Sequence, residues 1–287
     1  MKKNKIILAG SGYLGDNIID LLDEMNHSYV ITEISRSKKN RDGSIQSIQH
    51  DIDTSIRLDL DLEGSKIIYM APPDTSSDGD LRIAKFIDTI SKYNIARFIY
   101  ISTSGVYGNC HGNKVNELVR VNPITDRAMR RVDAENKLID FGRDNNVEIL
   151  ILRVPGIYGK NRLPIKRIIN REPLIEKAQS RTTNLIHVQD LSRIVIKSLE
   201  IEIKEKEIIN VSDGTAVKTT EYYEKIYDAL EINLPKYISY EEAKKLYDKK
   251  RLSFLNESRV LDTTKMKKIF PGCIKYTKLS EGIKASL

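Results

Sequence analysis

The stretch "KIILAGSGYLG", residues 5–15, decides the fold prediction for the chain. A short apolar run leads into a Gly-x-Gly-x-x-Gly spacing formed by Gly10, Gly12 and Gly15, and an amphipathic segment follows. Gly10 allows a tight turn, Gly12 lets the backbone approach an anion closely, and Gly15 lets a helix pack on the strand. Because the first turn of a helix offers unpaired N–H groups, the stretch predicts a pyrophosphate-binding loop that opens an α/β domain.

The same alternation of apolar runs and helix-length segments continues through the first half of the chain. The apolar runs are nearly continuous, which is typical of strands buried on both faces of a parallel sheet. The predicted strands cover 5–10, 28–35, 66–73, 97–104 and 147–154. The predicted helices cover 13–26, 80–94 and 124–143. This repetition predicts an α/β fold, a Rossmann-like doubly wound parallel sheet.

The second half of the chain has a looser pattern, which predicts a small C-terminal substrate lobe. Short strands are predicted at 185–188 and 207–212. The lysine-rich stretch 240–270 is typical of a peripheral helix. We expect a dinucleotide-binding domain over 1–155, joined by elements returning from about 184–212, and a substrate lobe over 156–287. Because no low-complexity linker separates the two parts, we expect them to pack as one unit.

Composition narrows the class of protein. The chain has 287 residues, of which 40% are apolar and 30% charged, as expected of a globular protein with a real core. Its net charge of +7 is dispersed along the sequence, so nucleic-acid binding is not expected. Apolar runs are too short for a signal-peptide core or a membrane span, so we expect a cytoplasmic protein without membrane contact. Cys110 and Cys273 match no zinc or redox spacing, and no metal site is predicted.

The segment after the second predicted strand bears on the kind of dinucleotide. About 20 residues past the glycines, an acid usually accepts hydrogen bonds from ribose hydroxyls, and Ser35 occupies that place. Arg36, Ser37 and Lys38 follow, and an arginine can pair bidentately with a 2′-phosphate. This pattern favours NADP over NAD. Glu33 leaves the alternative open, because a shift of two residues would restore an acid and favour NAD.

Five later segments carry a resemblance to a known family. They read "FIYISTSGVYG" (98–108), "ILRVPGIYGKNRLP" (151–164), "NLIHVQDLSR" (184–193), "IINVSDG" (208–214) and "SRVLDTTKMKK" (258–268). In content and order they resemble the extended and atypical short-chain dehydrogenase/reductase superfamily, the group called NAD-dependent epimerase/dehydratase. The resemblance covers most of the chain and implies a Rossmann domain with a small substrate lobe.

The glycine loop, the segment after the second strand and the resemblance together give a set of predicted cofactor-binding residues. Asp51 and Ile52 are placed to contact adenine, although an acid at a strand end is commonplace. The full predicted set is Gly10, Ser11, Gly12, Tyr13, Leu14, Gly15, Ser35, Arg36, Ser37, Lys38, Asp51, Ile52, Met70, Ala71, Pro72, Ser102, Arg131 and Pro155.

The resemblance also implies a catalytic pair that this sequence lacks. The family's general acid/base is a tyrosine in a Tyr-x-x-x-Lys motif, early on the helix after the fourth strand. Alignment through Ala134-Glu135 puts Arg127 at the tyrosine place and Arg131 at the lysine place. Arginine is not deprotonated at useful pH, so Arg127 cannot be the acid or base. The cation of Arg131 could still hold the nicotinamide ribose, and the alternative for this helix is a solvated basic face that includes Arg130.

Other side chains could supply the chemistry. By resemblance, Thr103 hydrogen-bonds the reacting oxygen, and the alternative is a threonine satisfied within a strand-end turn. Tyr107, Tyr158 and His187 have groups suited to proton transfer. Each also has a structural alternative, the tyrosines in turn motifs and the histidine as a satisfied strand residue.

Two classes of function follow from these residues. Arg127 would suit a carboxylate or phosphate, and Gly156 and Arg162 are predicted to bind the same substrate. The first class is an NAD(P)-binding oxidoreductase or epimerase/dehydratase-like enzyme on a small anionic or sugar-nucleotide-type substrate. The alternative is an NAD(P)-binding sensor or regulatory protein without turnover. We expect a monomer or homodimer.

Overall fold

The computed structural model describes residues 4–41, 45–53 and 60–287. Within them the strands are β1 (Lys5–Ala9), β2 (Val30–Ser35), β3 (Ile45–Gln49), β4 (Lys66–Tyr69), β5 (Arg97–Thr103), β6 (Lys114–Val115), β7 (Glu148–Val154), β8 (Gly156–Tyr158), β9 (Leu174–Ile175), β10 (Thr182–His187), β11 (Lys206–Asn210), β12 (Ala216–Lys218), β13 (Tyr237–Ile238) and β14 (Val260–Leu261). The helices are α1 (Tyr13–Glu24), α2 (Leu81–Ile90), α3 (Asp126–Asn145), α4 (Ile165–Ile169), α5 (Val188–Lys197), α6 (Thr219–Ala229), α7 (Tyr240–Leu246), α8 (Lys249–Leu255), α9 (Thr264–Ile269) and α10 (Leu279–Lys284). A 3-10 turn covers Ser104–Tyr107.

Unit 1 comprises Met1–Val106, Asp126–Arg153 and Ser192–Ile209. Its described residues form a seven-stranded sheet in the order β11-β7-β5-β4-β1-β2-β3. β1 pairs in parallel with β2 and β4, β2 with β3, and β4 with β5. The predicted α/β fold with a doubly wound parallel sheet is confirmed. Because the strand order reverses between β1 and β4, the carboxyl ends of these two strands mark the crevice where such folds bind ligands.

The core of unit 1 follows from the predicted apolar periodicity. β1 buries Ile6 and Leu8 completely. α2 buries Ile83, Phe86 and Ile90, spaced three and four residues apart on one face. Its first turn is capped by the Asp80 carboxylate, which accepts hydrogen bonds from two backbone N–H groups. The helix is therefore fixed at its start and along its apolar side.

Unit 2 comprises Tyr107–Thr125, Val154–Leu191 and Asn210–Leu287. Its described residues form a three-stranded sheet, β12-β10-β8, and two short two-stranded ones, β13-β9 and β14-β6. A hydrophobic core includes Tyr158, Leu185, Ile226, Tyr227 and Ile283. Unit 2 thus has a buried interior of its own.

Several elements differ from the sequence prediction. β3 was not predicted, because "IQSIQ" contains only two isolated isoleucines, with neither a continuous apolar run nor an alternating pattern, at the sheet edge. The lysine-rich stretch 240–270 forms three short helices and a strand, and the caps of Ser239 and Asp248 start the first two helices. The strand predicted at 207–212 is β11, which joins the large sheet. Unit 1 includes 192–209, which lies within the return predicted from about 184–212, whereas 107–125, predicted in the first domain, belong to unit 2. Their predicted packing as one unit stays a prediction.

No helix within the described ranges combines the length and apolar character that a membrane crossing requires. Among the same residues, no group of three or more His, Cys, Asp or Glu side chains is arranged to hold a metal ion. Cys110 and Cys273 are both thiols.

Candidate dinucleotide-binding site

The glycine loop lies between β1 and α1. The N–H groups of Gly10 and Ser11 both donate to the Ile34 carbonyl, at 3.0 and 2.9 Å, which ties the loop to β2. Gly10 has φ of +75°, and a Cβ there would lie 2.6 Å from the backbone nitrogen of Ala71. A Cβ on Gly15 would lie 2.3 Å from the Ser11 hydroxyl oxygen. Both glycines are therefore required by close packing.

Gly12 differs from its two neighbours because it faces open space. A Cβ on Gly12 would meet no atom within 4 Å, and its φ is −128°. It stands at the N-cap of α1, and no side chain caps that helix end. Tyr13 and Leu14 thus begin a helix whose N-cap residue carries no side chain to cap it, and a helix N-terminus of this kind favours an anion. This geometry fits the predicted approach of a pyrophosphate.

Glu33 lies beneath the glycine loop and is fully buried. Its Oε2 accepts from the Ser11 hydroxyl at 2.9 Å. Arg41 donates from Nε to Oε1 at 2.7 Å and from Nη2 to Oε2 at 3.1 Å. Lys39 is 3.5 Å from the same carboxylate and 2.6 Å from Asp16 on α1. Both carboxylate oxygens of Glu33 are therefore engaged within the protein.

The pKa of Glu33 reflects these contacts. Burial raises it, but the hydrogen bonds from Arg41 and Ser11 and the charge of Lys39 outweigh burial, and the net pKa is lowered. The carboxylate is thus held charged. Lys39, Arg41 and Asp16 were missed from the sequence, because nothing local marks an arginine eight residues past Glu33 as its partner.

The residues predicted to contact the 2′ position of the dinucleotide's ribose lie at the end of β2 and directly after it. Ser35 is buried and donates to the Ser37 carbonyl at 2.7 Å, which closes a turn. Arg36, Ser37 and Lys38 are exposed. Asp51 is also exposed and accepts from the Asp53 N–H, whereas Ile52 is buried. The cations predicted to bind a phosphate therefore face solvent.

The segment after β4 forms the next part of the crevice. Met70 donates its N–H to the Ala9 carbonyl at 2.8 Å, and Ala71 packs against Gly10. Pro72 is exposed, and its carbonyl accepts from Arg82. Arg82 also pairs with Asp53. The predicted residues after β4 are thus adjacent to the glycine loop, as the fold requires.

The arginines of α3 hold the ends of neighbouring strands and loops. Arg131 donates from Nη1 to the Tyr100 hydroxyl at 2.9 Å, to the Ile101 carbonyl at 3.0 Å and to the Ala71 carbonyl at 3.4 Å. Arg130 donates from Nε to the Ser77 carbonyl at 2.6 Å. Arg130 is therefore not part of a purely solvated face. Arg131 ties α3 to β5 and to the segment after β4, and its predicted contact with the cofactor ribose stays a prediction.

Tyr100 and Arg131 bring a phenol and a cation together, as an acid/base dyad does. The Tyr100 ring is fully buried, and burial raises its pKa to about 12, although Arg131 lowers it in part. Burial outweighs the cation, so this phenol stays protonated at neutral pH. The pair is structural.

Ser102 and Thr103 at the end of β5 have different surroundings. Ser102 is buried and donates to Glu135, whose carboxylate also pairs with Arg153 at 2.6 Å. Thr103 is half-buried, and its hydroxyl accepts from the Gly105 N–H at 3.2 Å. That hydroxyl keeps its own proton to donate, so the catalytic role predicted for Thr103 stays compatible with the structure.

The alternative proton donors are buried in unit 2. The Tyr107 hydroxyl donates to Asn210 at 2.8 Å. Burial raises the pKa of Tyr158, and its hydroxyl has no hydrogen-bond partner among the described residues. His187 Nδ1 accepts from the Gln189 N–H, and Nε2 lies 3.2 Å from the Ser286 hydroxyl. These contacts match the structural alternatives, and catalysis by any of the three would require exposure of a buried group.

The predicted substrate-binding residues fall in both units. Arg127 is half-buried in the first turn of α3, in unit 1. Gly156, which is exposed and opens β8, belongs to unit 2, as do half-buried Pro155 and exposed Arg162. Their assembly into one substrate site stays a prediction.

Comparison with known proteins assigns the family. The model of the NAD dependent epimerase/dehydratase family matches residues 6–212, which is more than half of the chain. The chain belongs to the NAD dependent epimerase/dehydratase family. The resemblance noted in the sequence is confirmed.

Individual relatives are distant in sequence and close in fold. The chain is 22% identical over 256 residues to UDP-glucose 4-epimerase of Vibrio cholerae, covering 80% of this chain and 77% of that protein. The structure of a functionally unknown conserved protein from Silicibacter pomeroyi superposes with a TM-score of 0.82, at 21% identity, over 99% of this chain and 98% of the other. MoeE5, solved with UDP-glucuronic acid and NAD, gives a TM-score of 0.78 at 18% identity, over 99% and 97% of the two chains. At these identities the structures support the fold.

Proposed function

We propose that unit 1 binds a nicotinamide dinucleotide, with its pyrophosphate on the glycine loop and the start of α1. The observation that carries this proposal is the contrast among the three glycines. Gly10 and Gly15 are closed in by neighbouring atoms, whereas Gly12 faces open space at an uncapped helix end. Neither close packing nor a positive φ requires glycine at position 12, so the strand-to-helix turn by itself does not explain Gly12. When bound, the dinucleotide would supply hydride-transfer chemistry.

We further propose that the chain prefers NADP to NAD. The acid that would favour NAD, Glu33, is buried and engaged by Arg41 and Ser11. Arg36 and Lys38, which would favour a 2′-phosphate, are exposed. MoeE5 was solved with NAD, so this preference is a property proposed for the present chain alone.

The proposed substrate is a small anionic molecule of the sugar-nucleotide type. The relatives include UDP-glucose 4-epimerase of Vibrio cholerae and UDP-glucuronic acid decarboxylases of Arabidopsis thaliana. Arg127, Gly156 and Arg162 are the proposed substrate-binding residues, because a guanidinium pairs well with phosphate and carboxylate. The proposed activity is that of an oxidoreductase or an epimerase/dehydratase-like enzyme.

In this proposal Thr103 holds the reacting oxygen by donating its hydroxyl proton. Neither residue at the places of the dyad can exchange a proton, since both are arginines. The proton is therefore exchanged with the substrate itself or with water. This arrangement predicts slow turnover relative to a family member that keeps the dyad, because a positioned acid or base contributes about 10²–10⁴-fold.

A second candidate function is dinucleotide binding without turnover, as in a sensor or regulatory protein. The observation that favours it is the engagement of Arg131 by Tyr100 and by carbonyl groups, together with the burial of Tyr107, Tyr158 and His187. The candidate groups for proton transfer are then all structural.

Incubation of the protein with NADPH and a panel of sugar nucleotides and small keto acids distinguishes the two functions. Loss of NADPH absorbance with a keto acid supports the enzyme, and so does conversion of a sugar nucleotide to a new product when NADP⁺ replaces NADPH, because epimerisation and dehydration return the hydride and leave the cofactor unchanged. Tight NADPH binding without turnover across the panel supports the sensor.

If a substrate is found, Arg127→Ala should raise KM for that anion about tenfold or more, because it removes a charge-assisted hydrogen bond. Arg143→Ala is the matched control, since Arg143 lies on the same helix and is exposed. A KM that is equal in both variants would remove Arg127 from the substrate site.

We also propose that the protein works in the cytoplasm as a monomer or homodimer. Thiols at Cys110 and Cys273 agree with a reducing compartment. Light scattering on the purified protein measures the oligomeric state, and a mass above that of a dimer would contradict the proposal.

A further inference from the structure

A polar groove of about 480 Å³ lies within unit 2, apart from the residues assigned above. It is lined by His111, Gly112, Ala178, Gln179, Ser180, Arg181, Thr182, Lys218, Tyr240 and Ser258. Its volume lies within the range of small-molecule sites. The volume alone does not identify a ligand. The hydrogen bonds that fix the walls of the groove and the charges of its side chains indicate the kind of ligand.

The framework of the groove is held by hydrogen bonds to Ser258, which is buried. The Ser258 carbonyl accepts from the N–H groups of Cys110 and Gly112, both at 3.0 Å. The Ser258 hydroxyl accepts from the Thr182 N–H at 3.3 Å. One residue thus fixes the loop that carries His111 against the start of β10.

The opposite wall is tied in the same way. The Thr219 N–H donates to the Arg181 carbonyl at 2.9 Å, and the Thr220 N–H donates to the buried Ser180 hydroxyl at 3.0 Å. The Tyr240 N–H donates to the Gln179 side-chain oxygen at 2.7 Å. The groove therefore has fixed walls contributed by β10, β12 and the start of α7.

The side chains in the groove carry positive charge. Lys218 donates one proton to the Ser180 carbonyl at 2.9 Å and keeps two others. Within the described residues, the exposed guanidinium of Arg181 and the imidazole of His111 have no hydrogen-bond partner. No Asp or Glu is among the lining residues that the structure describes.

Acids next to the groove in sequence are engaged elsewhere. Glu176 accepts from the Gln179 side-chain amide at 2.8 Å. Glu257 accepts from Arg259 at 2.6 Å and is buried. The charge of Arg181 and Lys218 is therefore not neutralised from within the groove.

We propose that this groove binds a phosphate group, with the Arg181 guanidinium as a two-pronged donor and Lys218 and His111 as further donors. An arginine fork matches two phosphate oxygens, and a lysine adds a point charge. The phosphate group belongs either to a nucleoside diphosphate or to free inorganic phosphate. The first source rests on the proposed sugar-nucleotide function and would extend it, whereas the second is independent of that function.

Calorimetric titration of the full chain with inorganic phosphate, with UDP and with uridine tests the proposal. Phosphate and UDP should bind, and uridine, which lacks a phosphate, should not. The double variant Arg181→Ala, Lys218→Ala should weaken both about tenfold or more, the loss expected from removing a charge-assisted hydrogen bond. UDP binding at least tenfold tighter than phosphate identifies the nucleotide as the source, and equal affinities identify the free ion.

Lys177→Ala is the matched control, because Lys177 is an exposed lysine of unit 2 that pairs with Glu224 and does not line the groove. Equal phosphate affinity in the wild type, the control and the double variant would overturn the proposal, as would absence of phosphate and UDP binding. NADPH titrated in parallel separates the two claims. Failure to bind NADPH contradicts the proposed dinucleotide site and leaves the groove unaffected.

Discussion

At the scale of single residues, the arginines of α3 have more than one role. Arg131 is predicted to stand where the family keeps the lysine of its dyad, and its Nη1 group donates to Tyr100, Ile101 and Ala71. The place of Arg131 in the motif is a prediction that rests on the flanking Ala134-Glu135. The sequence could not predict its acceptors, because they lie on β5 and in the segment after β4, 30 and 60 residues away.

Arg131→Ala should destabilise the fold by about 2 kcal/mol, because the buried Tyr100 hydroxyl and the Ile101 carbonyl lose their donor. Arg143→Ala, an exposed change on the same helix, should cost less than about 0.5 kcal/mol. Urea unfolding followed by circular dichroism measures both. Equal losses in the two variants would show that the contacts of Arg131 contribute nothing particular to stability.

The ionisation of Asp213 is expected to make the stability of the protein depend on pH. Burial raises its pKa from 3.8 to about 6, although hydrogen bonds from Thr215 act in the opposite direction. Its Oδ1 accepts from the Thr215 N–H and hydroxyl, both at 2.8 Å, and its Oδ2 has no partner among the described residues. The folded protein therefore holds this proton more tightly than the unfolded chain does.

The free energy of unfolding should consequently fall as the pH rises from about 4 to about 6. Below pH 4 both states are protonated at this carboxyl and the contribution is fully present, and above pH 6 it is lost. Asp213→Asn should remove this part of the pH dependence, so the variant should gain about 3 kcal/mol relative to wild type between pH 4 and pH 7. Urea titrations at several pH values measure the difference, and parallel pH profiles for the two proteins would contradict the account.

At the scale of elements, the glycine loop was predicted closely and the network beneath it was not. Strand, turn and helix follow from neighbouring residues, so the spacing of Gly10, Gly12 and Gly15 suffices. The pairing of Glu33 with Arg41 depends on how the segment after β2 folds back, which local pattern does not encode. The sequence alone therefore could not decide whether Glu33 is available to favour NAD over NADP.

Two glycine substitutions separate the packing role of the loop from its binding role. Gly10→Ala should destabilise the protein by about 2 kcal/mol or more, because φ is positive and the new methyl meets Ala71. Gly12→Ala should cost less than about 1 kcal/mol, since the position is open, but should weaken dinucleotide binding about tenfold or more by blocking close approach. Thermal unfolding and NADPH fluorescence titration measure the two effects. Unchanged NADPH affinity in a folded Gly12→Ala protein would contradict the assignment of the loop.

At the scale of the whole molecule, the sequence predicted the class of fold and a return of elements from about 184–212, but it gave no sign that 107–125 belong to unit 2. The parallel sheet follows from continuous apolar strands alternating with helices. The strand predicted at 207–212 lies within that returning segment, and as β11 it joins the edge of the large sheet. Likewise, the residues that line the groove of unit 2 come from five separate chain segments, so no single sequence motif could predict it.

The whole molecule is a member of the NAD dependent epimerase/dehydratase family, and alignment through Ala134-Glu135 predicts arginines at its dyad positions. The fold is settled by topology and by similarity to solved structures. In the proposed enzyme, the chemistry depends on Thr103 and on what the substrate itself can supply. Both proposed functions, the enzyme and the sensor without turnover, require dinucleotide binding. Dinucleotide binding is therefore the central claim.

Calorimetric titration of the wild-type protein with NADPH and, separately, with NADH tests that claim most directly. We predict that both bind at one site per chain and that NADPH binds more tightly, because Glu33 is engaged while Arg36 and Lys38 are exposed. Tighter binding of NADH would contradict the proposed 2′-phosphate preference. Absence of binding by either dinucleotide would contradict the account as a whole.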